Sequence, residues 1–167
     1  QKRHTGKISA YVEAHPGSIP CGCINGGLFM DSFRDKFFSL LEEFGKGKKM
    51  VLSTSLNDKV TSRMMSIIQK EGVFYFQTDQ TFRKYHQLIN NKNVALCMDN
   101  LQIEGICREL GHPLDYPAFT ALYQECFPGS FERYSSLSHE RLFSVTPFYT
   151  ERWIYKGGVP FIETMDM

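Results

Sequence analysis

Three runs rich in β-branched and aromatic residues follow one another with only two residues between them: MVLSTSL (50–56), KVTSRMMSIIQK (59–70) and VFYFQT (73–78), joined by Asn57-Asp58 and Glu71-Gly72. Connections that short turn a chain straight back on itself, so the three runs are predicted to pair as an antiparallel meander. A parallel sheet would need a helix after nearly every strand. VALCMD (94–99) and LQIEGICREL (101–110) repeat the pattern around Asn100, and LFSVTPFYTERWIY (142–155) supplies a sixth strand. Gly105 falls inside the fifth run, as at a bulge or where another group comes close, and Pro147 limits the sixth to an edge or a bulge.

Helices are expected at three connections. DSFRDKFFSLLEEF starts at residue 31 with Asp31 or Ser32 as cap, carries Phe33, Phe37, Leu40, Leu41 and Phe44 on one face, and stops at Gly45 and Gly47. After Thr78, Phe82, Tyr85, Leu88 and Ile89 recur at helical steps behind an Asp or Thr cap. A third helix is predicted from about Leu114 to Cys126, with Pro117 in its first turn. Residues 1–30, crowded with Gly, Pro and Cys in GSIPCGCINGG, carry no period and are read as an irregular N-terminal extension, with one domain over 31–167. Six antiparallel strands with short turns and peripheral helices point to a mainly β (α+β) Greek-key barrel.

The charge balance narrows the partners. Lys plus Arg total 19 against 18 Asp plus Glu, which leaves no basic excess to neutralise a string of phosphates, so nucleic acid is not expected. No apolar run reaches the roughly 18–20 residues needed to cross a bilayer, and no membrane association or secretory signal is expected. Five cysteines, an odd number, with Cys97 and Cys107 inside apolar runs, favour reduced thiols and a cytoplasmic location. No Walker loop, dinucleotide fingerprint, H-E-x-x-H or G-x-S-x-G is present. Neither the histidines nor Cys21-Gly-Cys23 has the spacing of a metal site, so none is expected.

What remains is a constellation. The second strand carries Arg63-Met64-Met65-Ser66, the third ends in Thr78, the next helix opens with Arg83-Lys84, and the fifth strand begins with Gln102. A guanidinium fork, a lysine and free N–H groups near a helix start suit an anion such as a phosphate.

The stretch VLSTSLNDKVTSRMMSIIQKEGVFYFQTDQTFRKYHQLINNKNVALCMDNLQIEGICREL resembles the flavin-binding split barrels of the pyridoxamine 5'-phosphate oxidase-like family. That resemblance implies a six-stranded split barrel, a homodimer and FMN in the groove between two subunits. By position, Arg63 and Lys84 would grip the FMN phosphate with Arg83 as a third cation. The main chain of Met64, Met65 and Ser66 would meet the polar edge of the ring. Thr78 would offer its hydroxyl, Gln102 its amide, and Trp153 a place beside the flavin or in the dimer interface. Ile67 and Ile68 stand near where the oxidases carry a lysine, and GVPFIETMDM lacks their Arg-x-His motif, so pyridoxamine phosphate oxidation itself is not expected. The implied function is hydride or electron transfer between bound FMN and a small organic substrate, with NAD(P)H or a reductase resupplying electrons. A non-catalytic flavin- or haem-binding module of the same fold is the alternative.

Overall fold

In the computed structural model, which describes residues 28–166, both two-residue links close hairpins. Asn57 and Asp58 have φ of 50° and 61°, and Glu71 and Gly72 have 54° and 82°, the paired positive angles whose twist matches that of the flanking strands. β1 (Gly47–Leu56), β2 (Lys59–Lys70) and β3 (Val73–Asp79) form the meander, and β4 (Asn93–Met98) returns to lie on the free side of β1. This is the Greek-key order. β5 (Leu101–Gly111) follows β4, and β6 (Glu140–Lys156) pairs with both β5 and β3, which closes the ring of six.

Pro147 sits opposite Gly105 at a register shift, in the gap where pairing with β3 has ended at Val145 and pairing with a seventh strand has not begun. The bulge reading holds and the edge reading does not, because β6 is flanked by β5 along most of its length. A Cβ on Gly105 would lie 2.6 Å from Val145 Cγ1 and 2.8 Å from the Thr146 carbonyl, so the close approach predicted from the glycine is real. β7 (Val159–Asp166) pairs with β6 from Tyr149 to Lys156 outside the ring.

Inward-facing positions alternate along the strands, and Met50, Leu52, Ile67, Phe74, Phe76, Leu96, Ile103 and Val145 fill the barrel. α1 (Leu28–Phe44) buries Phe37, Leu40, Leu41 and Phe44 against it, with the Phe44 ring edge-on to Phe74 at 5.3 Å. The helix starts at Leu28, so Asp31 and Ser32 lie within it and do not cap it. The sequence offered two polar caps, but Leu28 and Met30 before them are strong helix formers that extend it. Gly45, at φ 72°, donates its N–H to the Leu41 carbonyl at 2.9 Å and ends the helix as expected. Residues 1–27 of the proposed extension fall outside the described residues.

α2 (Arg83–Asn90) is capped by neither Asp nor Thr. Phe82 takes the N-cap position without a side-chain bond, because Asp79 Oδ1 is committed to the N–H and hydroxyl of Thr81, both at 2.7 Å. The third predicted helix divides into a short 3₁₀ turn over Pro113–Asp115 and α3 (Pro117–Cys126), which has Pro117 in its first turn. α4 (Pro128–Tyr134) follows at once. Phe119 and Tyr123 of α3 pack with Ile68 and Leu142 on the outer face of the barrel. α4 and β7 are additions to the elements read from sequence.

Candidate functional site

The ring of strands is incompletely zipped between β2 and β3. Only Ile68, Gln69 and Lys70 pair with Tyr75, Phe74 and Val73, after which β3 turns to β6. If the same register continued, Met65 would face Thr78 and Ser66 would face Gln77. Among the described residues no ladder covers that side of Arg63–Ser66, so its main-chain donors and acceptors line one lip of a split. Thr78, 2% exposed, stands on the other lip, and its hydroxyl has no hydrogen-bond partner. An orphaned buried hydroxyl is unusual and asks for an occupant.

Arg63 points inward from the first half of β2. Nη1 donates to Thr54 Oγ1 at 2.7 Å and to the Leu52 carbonyl at 3.2 Å, while Nη2 donates to Thr61 Oγ1 and, at 3.1 Å, to Gln87 Oε1. Thr54 and Thr61 also donate to Gln87 Oε1, at 2.8 and 2.9 Å. Every partner is neutral. The guanidinium is therefore positioned without being neutralised, and burial, with Arg83 nearby, lowers its pKa from the ordinary value.

Lys84 is the second residue of α2, with Nζ 4.5 Å from the centre of the Phe82 ring. Its pKa is also lowered, first by burial and then by the charge of Arg63, against the pull of Glu140 and Asp79. Arg83, the first residue of α2, is exposed beside Lys59 and His86. Among the described residues, none of Arg63, Arg83 and Lys84 forms an ion pair with a carboxylate. Three cations gathered at a helix start with no ion pair among the described residues constitute a candidate anion site.

The other expected residues divide. Met65 packs half-buried against the core while Met64 is 59% exposed on the outer face. Ser66 faces Tyr123 of α3. Gln102 is on the outer face, where Nε2 donates to Glu104 Oε1 at 3.0 Å. It shares a cross-strand row with Cys97, Val51 and Met64, which puts it three strands from β2, about 14 Å at the usual strand spacing. Trp153, 48% exposed, belongs to the β6–β7 ribbon, opposite Ile162. One chain thus gathers Arg63, Thr78, Arg83 and Lys84 near the split, and leaves Gln102 and Trp153 outside the group.

Sequence reasoning missed Gln87, Thr54 and Thr61, which hold Arg63. A signal for Gln87 existed, since it lies one helical turn after Arg83 and so on the same face. It also missed Glu140, 4% exposed and directly opposite Asp79. Burial first, and then Asp79, pushes the Glu140 pKa up to about 7, against the opposing influence of Lys84 and Gln77. Among the described residues no group of His, Cys, Asp and Glu could hold a metal ion, and no helix is long and apolar enough to cross a membrane.

No family model matches the chain, and no curated protein matches it. Solved structures do. A NimC/NimA family protein from Clostridium acetobutylicum superposes with a TM-score of 0.58 at 18% identity, covering 86% of this chain and 100% of that one. General Stress Protein 26 from Bacillus anthracis gives 0.56 at 19%, covering 80% and 98%. A putative pyridoxamine 5'-phosphate oxidase from Listeria innocua gives 0.52 at 15%, covering 70% and 94%. The chain has the mainly β split-barrel fold of the pyridoxamine 5'-phosphate oxidase-like proteins.

Proposed function

We propose that this chain binds FMN, as a homodimer, and serves as an oxidoreductase transferring hydride or electrons between the flavin and a small organic substrate. The observation that carries the reading is the cationic group of Arg63, Arg83 and Lys84, which has no carboxylate ion pair among the described residues and adjoins a split whose far lip holds the unpartnered Thr78 hydroxyl. A terminal phosphate would take the cations, and each charge-assisted bond there contributes about 1.5–3 kcal/mol. The uncovered main chain of Met64–Ser66 offers N–H and C=O groups to a polar ring edge. These residues fit the group.

Bound FMN would supply the redox chemistry at its ring. The chain's share is to fix the phosphate, orient the ring along the lip of β2 and keep water from the buried side. Gln102 and Trp153, too far from the split within one subunit, are assigned to the second copy's side of the groove. The β6–β7 ribbon favours such a copy, since Trp153, Tyr155, Val159, Phe161 and Ile162 are all exposed apolar side chains on it.

An absorption spectrum of the purified protein tests the proposal. FMN bands that bleach with NAD(P)H and return with an added acceptor are the expected result. FMN bands that no donor or acceptor alters would leave a flavin-binding module, and a Soret band on adding haem, with no flavin bound, would overturn the flavin assignment.

A further inference from the structure

The tip of the β1–β2 hairpin and α2 enclose a cavity of about 460 Å³, a size within the roughly 300–1,000 Å³ of small-molecule sites. Arg83, His86 and Gln87 line it from α2, at steps of three and four residues and so on one helix face, while Leu56, Asn57 and Lys59 line it from the hairpin. No carboxylate is in its walls, and none of Lys59, Arg83 and His86 forms an ion pair among the described residues. Asp58, at the turn itself, is exposed and forms none either. Gln87 is 3% exposed, and its Oε1 accepts from Arg63 Nη2, Thr54 and Thr61. Its Nε2 has no hydrogen-bond partner among the described residues, which leaves a buried donor for whatever fills the cavity. The Arg63 guanidinium and the cavity are therefore joined through a single amide group.

We propose that this cavity is a second phosphate subsite, adjoining the one assigned to FMN, and that it takes the outer phosphate of a flavin carrying a diphosphate, namely FAD. The inference rests on the FMN reading above. The FMN portion of FAD would keep its phosphate at Arg63, and the next phosphate, one bridging oxygen away, would meet Lys59, the Gln87 N–H and Arg83, which the two phosphates would share. His86 offers a ring N–H in either protonation state. The chemistry of the walls selects this occupant. An apolar guest would strip water from the Lys59 and Arg83 heads and the Gln87 N–H without giving them an acceptor, which is costly. A cation would find no carboxylate there. The volume exceeds what one phosphate fills and leaves room for the ribose that follows the second.

Calorimetric titration of the full chain with FAD, FMN and riboflavin tests the assignment. FAD is expected to bind at least about tenfold more tightly than FMN, on the scale of one further charge-assisted bond, and FMN more tightly than riboflavin. Lys59→Ala/His86→Ala, two changes at exposed positions, should remove the FAD advantage and leave FMN affinity unchanged. Lys59→Glu, which puts a negative charge at the cavity, should lower FAD affinity further while sparing riboflavin. FAD binding no tighter than FMN, or an FAD advantage that survives both variants, would overturn the proposal while leaving FMN binding intact. An equal loss of FMN and FAD affinity in Lys59→Ala/His86→Ala would merge the cavity with the single-phosphate seat and would overturn it as well. No binding of any flavin would instead remove the reading on which it rests.

Discussion

Arg63 of β2 and Gln87 of α2 meet at the barrel mouth, with the guanidinium Nη2 donating to the amide Oε1 at 3.1 Å. The same oxygen accepts from Thr54 and Thr61, so one helix residue aims one strand cation. Gln87→Leu would leave the Thr54 and Thr61 hydroxyls and a guanidinium N–H short of an acceptor. The expected loss is about 1–3 kcal/mol of apoprotein stability, read as a lower urea midpoint at unchanged slope, together with weaker FMN binding. An unchanged midpoint would mean that water replaces the amide at no cost.

The bulge at Gly105 makes a second prediction, concerning the fold alone. Gly105→Ala would drive a methyl group against Val145 Cγ1 and the Thr146 carbonyl, and main chain cannot step aside as a flexible side-chain end can. Overpacking of this kind costs about 1–3 kcal/mol. Thermal unfolding should show it without any change in helix content.

These two sites also show what the sequence reveals. Gly105 and the two-residue turns were legible because each encodes a local backbone demand. The anionic-site cations were legible as residue types at familiar spacing, but the Arg63 network was not, since it joins β1, β2 and α2. β7 was hidden by Gly157-Gly158 and by Pro160, which read as a tail, although Pro160 sits opposite Tyr155 in the β6–β7 ladder. α4 is a single seven-residue segment entered through Pro128-Gly129 and has no buried stripe to give a period. Glu140 escaped because strand β6 starts two residues before its apolar run.

Glu140 also links stability to pH. Its pKa rises from an ordinary 4.5 to about 7 in the fold, so between those values the native state holds a proton that the unfolded chain has released. Stability is then favoured at the acid end of that window and falls as pH rises through about 7. The difference in melting temperature between Glu140→Gln and wild type should grow from pH 5 to pH 8, with the variant the more stable at the upper end. A constant difference would place Glu140 in solvent-like surroundings.

Ile162 stands opposite Trp153 on the exposed β6–β7 ribbon. If a second copy covers that ribbon, Ile162→Asp buries a charge in an apolar contact and should shift the sedimentation profile toward monomer. A wild-type protein that sediments as a monomer with FMN bound would exclude the groove between subunits.

The central claim is that Arg63 and Lys84 together seat the phosphate of FMN. Titration of the Arg63→Ala/Lys84→Ala double variant with FMN, followed by flavin fluorescence and compared with wild type, tests it most directly. Loss of two charge-assisted bonds predicts a dissociation constant raised by at least about a hundredfold, with riboflavin binding nearly unaffected. Equal FMN affinity in the variant and wild type would contradict it.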